Sequence, residues 1–178
     1  LPFDNYSPKS EDEFLSDGFT EVIIANLAKV KDLIVISRTS IMRYKNTDMS
    51  LREIAKELNV ANILEGSIQK KGNKIRVVGQ LIEASTNNHL WAETYDEDID
   101  DIFAIQTSIA KEIAASLKTQ ITESEKAIIE DKLTDNIEAY EYYLKIRELR
   151  NSHTFYDQNN ELRLALLEKI IKLDPNFA

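Results

Sequence analysis

Three consecutive residues carry the most promising chemistry in this sequence: Arg38, Thr39 and Ser40 set a guanidinium fork beside two hydroxyls. They follow the apolar run Leu33-Ile34-Val35-Ile36, and the carboxyl end of a central strand is where open α/β sheets place ligand crevices. A fork of N–H donors there suits a carboxylate or a phosphate. In the competing reading the hydroxyls only satisfy backbone groups of the turn that leaves the strand.

Other reactive constellations fail on spacing. The acidic run Asp96-Glu97-Asp98-Ile99-Asp100-Asp101 resembles a calcium loop, but an EF-hand counted from Asp96 needs glycine sixth and glutamate twelfth, where Asp101 and Thr107 stand. Helix capping and a solvated acidic edge account for it better. His89 and His153 have no partner at metal spacing. No Gly-x-Ser-x-Gly elbow occurs, and Glu65-Gly66-Ser67 reads as strand. Four glycines, at 18, 66, 72 and 79, supply neither phosphate-binding fingerprint. The sole tryptophan, Trp91, alternates with its neighbours in strand fashion and reads as an anchor on a sheet face. No catalytic residue, metal or cofactor is assigned.

Composition narrows the partners. Thirty-one acidic against 22 basic residues give a net charge of -9 over 178 residues, which repels a phosphate backbone unless basic residues share one face. The densest basic cluster, Lys70-Lys71-Gly72-Asn73-Lys74 with Arg76, is a hairpin tip, so nucleic-acid binding by this stretch is not expected. The chain has no cysteine, which removes disulfides and thiolate chemistry and fits cytosol and periplasm equally. Leu1-Pro2-Phe3 reads as the end of a strand, and residues 173–178 as the approach to another helix. The expectation is a piece of a longer protein, with a membrane tether upstream and a homodimer both left open.

These residues must be positioned by an α/β framework. Ser10 and Glu13 have capping-box spacing ahead of a helix over about 11–30. Residues 33–36 read as a strand buried on both faces, making a β-α-β unit with the strand ending at Phe3. Residues 38–49 are polar and aperiodic. Ser50 and Glu53 open a short second helix. From 62 to 95 the period becomes two, with Ile75, Val77 and Leu81 on one face and Arg76, Val78, Gln80 and Ile82 on the other. Gly72-Asn73 supplies the positive-φ residues of a hairpin, and residues 85–88 connect to a third strand of the meander. Asp100 and Asp101 start a helix whose Ile102, Ile105, Ile109, Ile113, Leu117 and Ile121 form an apolar stripe. That helix is expected to run on into 122–133. The sheet is therefore mixed, with about five strands.

Beyond 121 the chain reads as all helix, over 135–151 and about 157–173. The spacing Tyr140-x2-Tyr143-Leu144-x2-Arg147 follows the first-helix template of a tetratricopeptide repeat, and Pro175 sits where that repeat closes. Tyr140 to Pro175 is longer than one repeat, and Arg163 and Ile170 replace its small alanines. The expectation is a degenerate first repeat with an enlarged loop over 152–160.

Taken in order, Leu1-Pro2-Phe3-Asp4-Asn5-Tyr6-Ser7, Phe14-Leu15-Ser16-Asp17-Gly18-Phe19-Thr20, Ile36-Ser37-Arg38-Thr39-Ser40, Glu57-Leu58-Asn59-Val60, Leu64-Glu65-Gly66-Ser67, Leu90-Trp91-Ala92-Glu93-Thr94-Tyr95 and Asp101-Ile102-Phe103-Ala104-Ile105-Gln106 resemble the TolB-like amino-terminal domain of bacterial multidomain regulators. The resemblance covers nearly the whole chain. It implies a mixed α/β domain, similar in outline to anticodon-binding modules, over 1–121. A helical linker and a truncated tetratricopeptide array would then occupy 122–178. It also implies fusion to an adenylate/guanylate cyclase domain or a winged-helix domain, commonly with a membrane span between. The resulting expectation is a non-catalytic sensory or protein-interaction module with protein partners on its helical repeats. Its alternatives are a small-ligand receptor for a nucleotide or organic acid at Arg38, Thr39 and Ser40, and a piece of a cyclase whose catalytic domain lies elsewhere.

Overall fold

Period-two alternation over residues 62–98 builds the sheet. The computed structural model describes residues 1–8, 12–151 and 160–177, with the side chains of Arg150 and Asn151 outside that description. Strand β1 (Asp4–Asn5) runs parallel to β2 (Asn62–Lys71), and β3 (Lys74–Glu83) and β4 (Asn88–Asp98) complete an antiparallel meander in the order β1-β2-β3-β4. Gly72 turns the first hairpin at φ +61°, a backbone region nearly closed to other residues. Asn73, expected to share that conformation, does not have a positive φ. Asn87, at φ 61°, turns the second hairpin.

Helix α1 (Glu13–Ala28) and helix α4 (Ile102–Ser116) cover one face of the sheet. Phe19 and Ile23 from α1, with Ile105, Ile109 and Ile113 from α4, close over Ile68, Ile75, Val77 and Leu81 as one core. On the opposite face, α2 (Arg38–Ile41) leads through a 3-10 turn (Met42–Tyr44) to α3 (Leu51–Leu58). Tyr44, Ile54, Ala55, Ile63 and Ala84 form a smaller core there. The Ser50–Glu53 capping box is present, each side chain answering the other's backbone N–H, which accounts for the sharp start of α3. Its counterpart at Ser10 and Glu13 lies partly outside the described residues.

Two glycines face each other across β2 and β3, Gly66 opposite Gly79. On the helical side a Cβ at Gly66 would lie 2.4 Å from the Phe3 ring, and one at Gly79 would lie 2.8 Å from Trp91. Two aromatic rings therefore occupy the space where side chains at these positions would otherwise stand. Trp91 is held there by its Nε1–H, which donates to Glu112 Oε2 at 2.8 Å, and Tyr95 OH donates to the same oxygen at 3.1 Å.

Three further expectations need correction. Residues 33–36 join no sheet, so the described sheet has four strands. The neighbour that would pair with them is engaged elsewhere: Phe3 N–H donates to Thr20 Oγ1 at 2.9 Å. The aperiodic stretch 38–49 contains α2 and the 3-10 turn. Finally, α4 does not continue into the following helix. Lys118 takes φ 56°, and a second capping box, Thr122 with Glu125, starts α5 (Glu123–Glu130) afresh.

Helices α6 (Ile137–Asn151) and α7 (Asn160–Leu173) follow as an antiparallel pair. Asn136 Oδ1 accepts the Ala139 N–H at 3.0 Å and so caps α6. Thr134 Oγ1 donates to Asp174 at 2.6 Å, tying the start of α6 to the end of α7. The enlarged loop expected after α6 falls, but for its last residue, outside the described residues, as does His153.

Candidate functional site

Arg38, Thr39 and Ser40 lie together on α2, directly after the segment 33–37 that joins no sheet. The Arg38 guanidinium donates to Asp17 Oδ2 at 3.1 Å, while Lys45 Nζ reaches Asp17 Oδ1 at 2.5 Å and also pairs with Glu13. Burial acts to lower the Lys45 pKa, but its bonds to Asp17 and Glu13 outweigh that and hold the ammonium above its ordinary value. Ser40 Oγ lies 3.1 Å from Ser37 Oγ, and Thr39 and Ser40 are exposed. Arg38 Nε is buried with no hydrogen-bond partner among the described residues. The three predicted residues are thus adjacent, with the fork already facing a carboxylate.

The acidic run is likewise engaged. Arg76 Nε and Nη2 donate to the two oxygens of Asp96 at 2.6 and 2.9 Å, and Lys74 pairs with Asp98 at 2.9 Å. Arg76 and Asp96 are register partners across β3 and β4, so these charges straddle an edge strand. Among the described residues no group of three or more His, Cys, Asp or Glu side chains is placed to hold a metal. No helix there is long and apolar enough to cross a membrane.

The most extensive constellation of side chains joins the α/β layers to the terminal helices. Gly18, mid-way along α1, leaves a notch that Leu144 of α6 fills, with a Cβ at Gly18 falling 2.5 Å from Leu144 Cδ2. Leu144 is 2% exposed. Around this knob Arg147 pairs with Glu21, and its Nη1 donates to Tyr143 OH at 2.8 Å. Lys70 on β2 pairs with Glu141. Lys145 lies 4.8 Å from the centre of the Phe14 ring.

One turn earlier on α6, Tyr140 meets Phe103 of α4 edge-on at 4.7 Å and accepts a hydrogen bond from Gln106 Nε2 at 3.2 Å. Burial pushes the Tyr140 phenol up to about 12, which keeps it a neutral hydrogen-bonding group. Helix α5 is fastened separately. Lys31 N–H donates to Glu125 Oε1 at 2.8 Å, Lys29 Nζ donates to Ile128 O at 2.8 Å, and Lys111 pairs with Glu130.

The outer helix, α7, buries Leu166 and Ile170 but leaves Leu164 61%, Leu167 43% and Ile171 62% exposed. Spacings of three and four place those three on one stripe. The arrangement has the chemistry of packing and recognition: a knob in a notch, flanking ion pairs, and an apolar stripe facing outward. The notch was not recognised from sequence. Its signal was Gly18 within the helical pattern of α1, where a glycine weakens a helix unless something must approach closely.

No family model matches this chain. It is 35% identical over 178 residues to a protein of Rhizobium meliloti (strain 1021) named "Putative adenylate cyclase 3". The match covers 100% of this chain and 30% of that protein, so the chain spans less than a third of the curated relative's length. Solved structures with a similar outline include a PelC dodecamer from Paraburkholderia phytofirmans (16% identity, TM-score 0.44, 67% of this chain and 85% of that one). The LpoB C-terminal domain from Salmonella enterica is another (17% identity, TM-score 0.43, 54% and 77%). A third is TolB from Acinetobacter baumannii (12% identity, TM-score 0.43, 65% and 27%).

Proposed function

We propose that this chain is a non-catalytic protein-interaction module in which a TolB-like α/β unit, residues 1–121, caps the start of a tetratricopeptide-like helical array, residues 122–178. The observation that carries this reading is the seating of Leu144 in the Gly18 notch. Repeat helices bury only one face against each other and need a cap on the other, and α1 supplies that cap to α6. The stripe Leu164, Leu167 and Ile171 on α7 is then the docking face for a protein partner or a further helical pair. In a longer protein the module would pass such contacts to an output domain elsewhere, and the cyclase name of the R. meliloti relative makes a nucleotide cyclase the output to test first.

Photo-crosslinking tests the proposal. A photoreactive phenylalanine placed at Leu164 or Ile171 in the native full-length protein should give discrete adducts that one at exposed Glu97 does not. Equal labelling at all three positions, or none at Leu164 and Ile171, contradicts it.

The receptor reading at Arg38, Thr39 and Ser40 draws support from the unpartnered Arg38 Nε and from the two exposed hydroxyls. Asp17, already on the guanidinium, weighs against it. A thermal-shift screen of nucleotides and small acids separates the two, since ligand at a hundredfold excess over Kd adds about 2.7 kcal/mol. Stabilisation lost in Arg38→Ala would favour the receptor.

A further inference from the structure

Strand β4 forms the edge of the sheet opposite β1, so one row of its peptide groups has no neighbouring strand. Among the described residues no hydrogen bond other than those with β3 involves the backbone of residues 91–95. A register shift between Leu81 and Ile82 leaves Leu90 without a partner and sets one limit to this straight run. Lys74 and Arg76, paired with Asp98 and Asp96, place two cations at its other limit. Between those limits Trp91, Glu93 and Tyr95 share the helical face, opposite Leu81, Gly79 and Val77. Glu93 is exposed and makes no ion pair among the described residues. Glu112 Oε2 accepts from both rings, and Lys111 beside it is engaged by Glu130. Two carboxylates and two aromatic rings, with no described cation paired to Glu93, form a seat for an ammonium or guanidinium group.

We propose that residues 91–95 of β4 accept one added β-strand, a basic extended segment of a partner polypeptide whose Lys or Arg lies opposite Glu93, between Trp91 and Tyr95. The idle peptide groups favour a strand over a free cation, because an added strand pairs them while its side chains on the shared face supply specificity. Charge favours a basic one. Directly opposite residues sit about 5 Å apart, where unlike charges attract, and the net charge of -9 draws cationic chain towards the protein. A second copy of β4 fits poorly, because residues 88–98 contain no Lys or Arg and like charges opposed across strands repel. The inference is independent of the proposed function, whose seat for Leu144 in the Gly18 notch involves α1 and α6 and not β4, so either can fail without the other.

The test uses the whole chain, isotope-labelled, titrated with the capped peptide Ac-Thr-Val-Thr-Lys-Thr-Val-Thr-NH2. Amide hydrogen exchange and the fluorescence of Trp91, the sole tryptophan, follow the binding. Saturable binding is expected, with exchange at the outward amides of residues 91–95 slowed at least about tenfold. The same peptide with Glu in place of Lys should bind more weakly. Glu93→Gln, at an exposed position, should abolish that preference and Glu93→Lys should reverse it, with circular dichroism unchanged in both. No binding at millimolar peptide, equal binding of the two peptides, or binding without protection of residues 91–95 overturns the proposal. So does a preference that both variants leave as it was. N-acetyl-lysine amide binding as tightly as the peptide would overturn it in favour of a simple cation site. Protection of residues 91–95 that rises with protein concentration in the absence of peptide would overturn it in favour of self-pairing.

Discussion

Replacing Gly18 with alanine sets two effects of opposite sign against each other. In a helix interior the change stabilises by about 1 kcal/mol, because alanine has less backbone entropy to lose. Here the new methyl would lie 2.5 and 2.9 Å from the two methyls of Leu144 and 3.1 Å from its Cγ. Leu144 is buried and must shift, and such overpacking costs about 1–3 kcal/mol. The net expectation for Gly18→Ala is a loss of about 0–2 kcal/mol. Leu144→Ala alone empties the notch and costs about 2–5 kcal/mol. With Leu144 gone the alanine at 18 meets nothing, so Gly18→Ala in that background should stabilise by about 1 kcal/mol. The sign reversal, a coupling of about 1–3 kcal/mol, is the signature of the seat. Equilibrium urea unfolding of the four proteins measures it, with far-UV circular dichroism and Trp91 fluorescence compared to check for a single transition. If Gly18→Ala has the same effect in both backgrounds, Leu144 does not occupy the notch and the reasoning fails.

Three further outcomes follow from the same contacts. Glu125 is held at about 2, mainly by the Thr122 hydroxyl and then by the Lys31 and Thr122 N–H groups, against 4.5 for a free carboxyl. Its folded pKa is depressed, so its stabilisation is present above about 4.5 and is lost as pH falls towards 2; urea midpoints of Glu125→Gln should therefore fall less steeply than wild type across that window. Glu112→Gln weakens the acceptor shared by Trp91 and Tyr95 and should cost about 1 kcal/mol after allowance for solvent screening. Burial and then the Glu112 charge raise the Tyr95 phenol, so spectrophotometric titration of this variant should find Tyr95 ionising at lower pH. Arg147→Glu sets like charges beside Glu21 and should lose about 1–2 kcal/mol at this largely buried site, most of it regained on adding Glu21→Arg; no recovery in the double variant would remove that pair from the seat.

The meander was legible because its cues are local. Alternation from Ile75 to Ile82, Gly72 at the turn and the Ser50–Glu53 capping box each act within a few residues, and each appears where expected. The misreadings involve long-range competition. Leu33-Ile34-Val35-Ile36 has the composition of an inner strand, but pairing depends on a neighbour, and the Phe3 N–H is bound to Thr20. The apolar stripe through Leu117 and Ile121 does pack on the core, yet the left-handed turn at Lys118 ends α4 and leaves Ile121 in the linker before α5. A long-range partner also accompanies Arg38, though it does not decide the ligand reading there: Asp17, 21 positions away in sequence, cannot be paired with it by any local pattern. The notch at Gly18 was hidden for the same reason, since its partner Leu144 lies on the far side of the entire sheet in sequence.

The account rests on the claim that the terminal helices are held by the α/β unit and do not stand alone. Circular dichroism of an isolated 122–178 peptide, melted alone and with residues 1–121 added, tests this most directly. The prediction is weak helicity and a broad, non-cooperative melt for the peptide alone, with helix gained on mixing. A sharp cooperative transition of the peptide by itself, unchanged by the added unit, would contradict it.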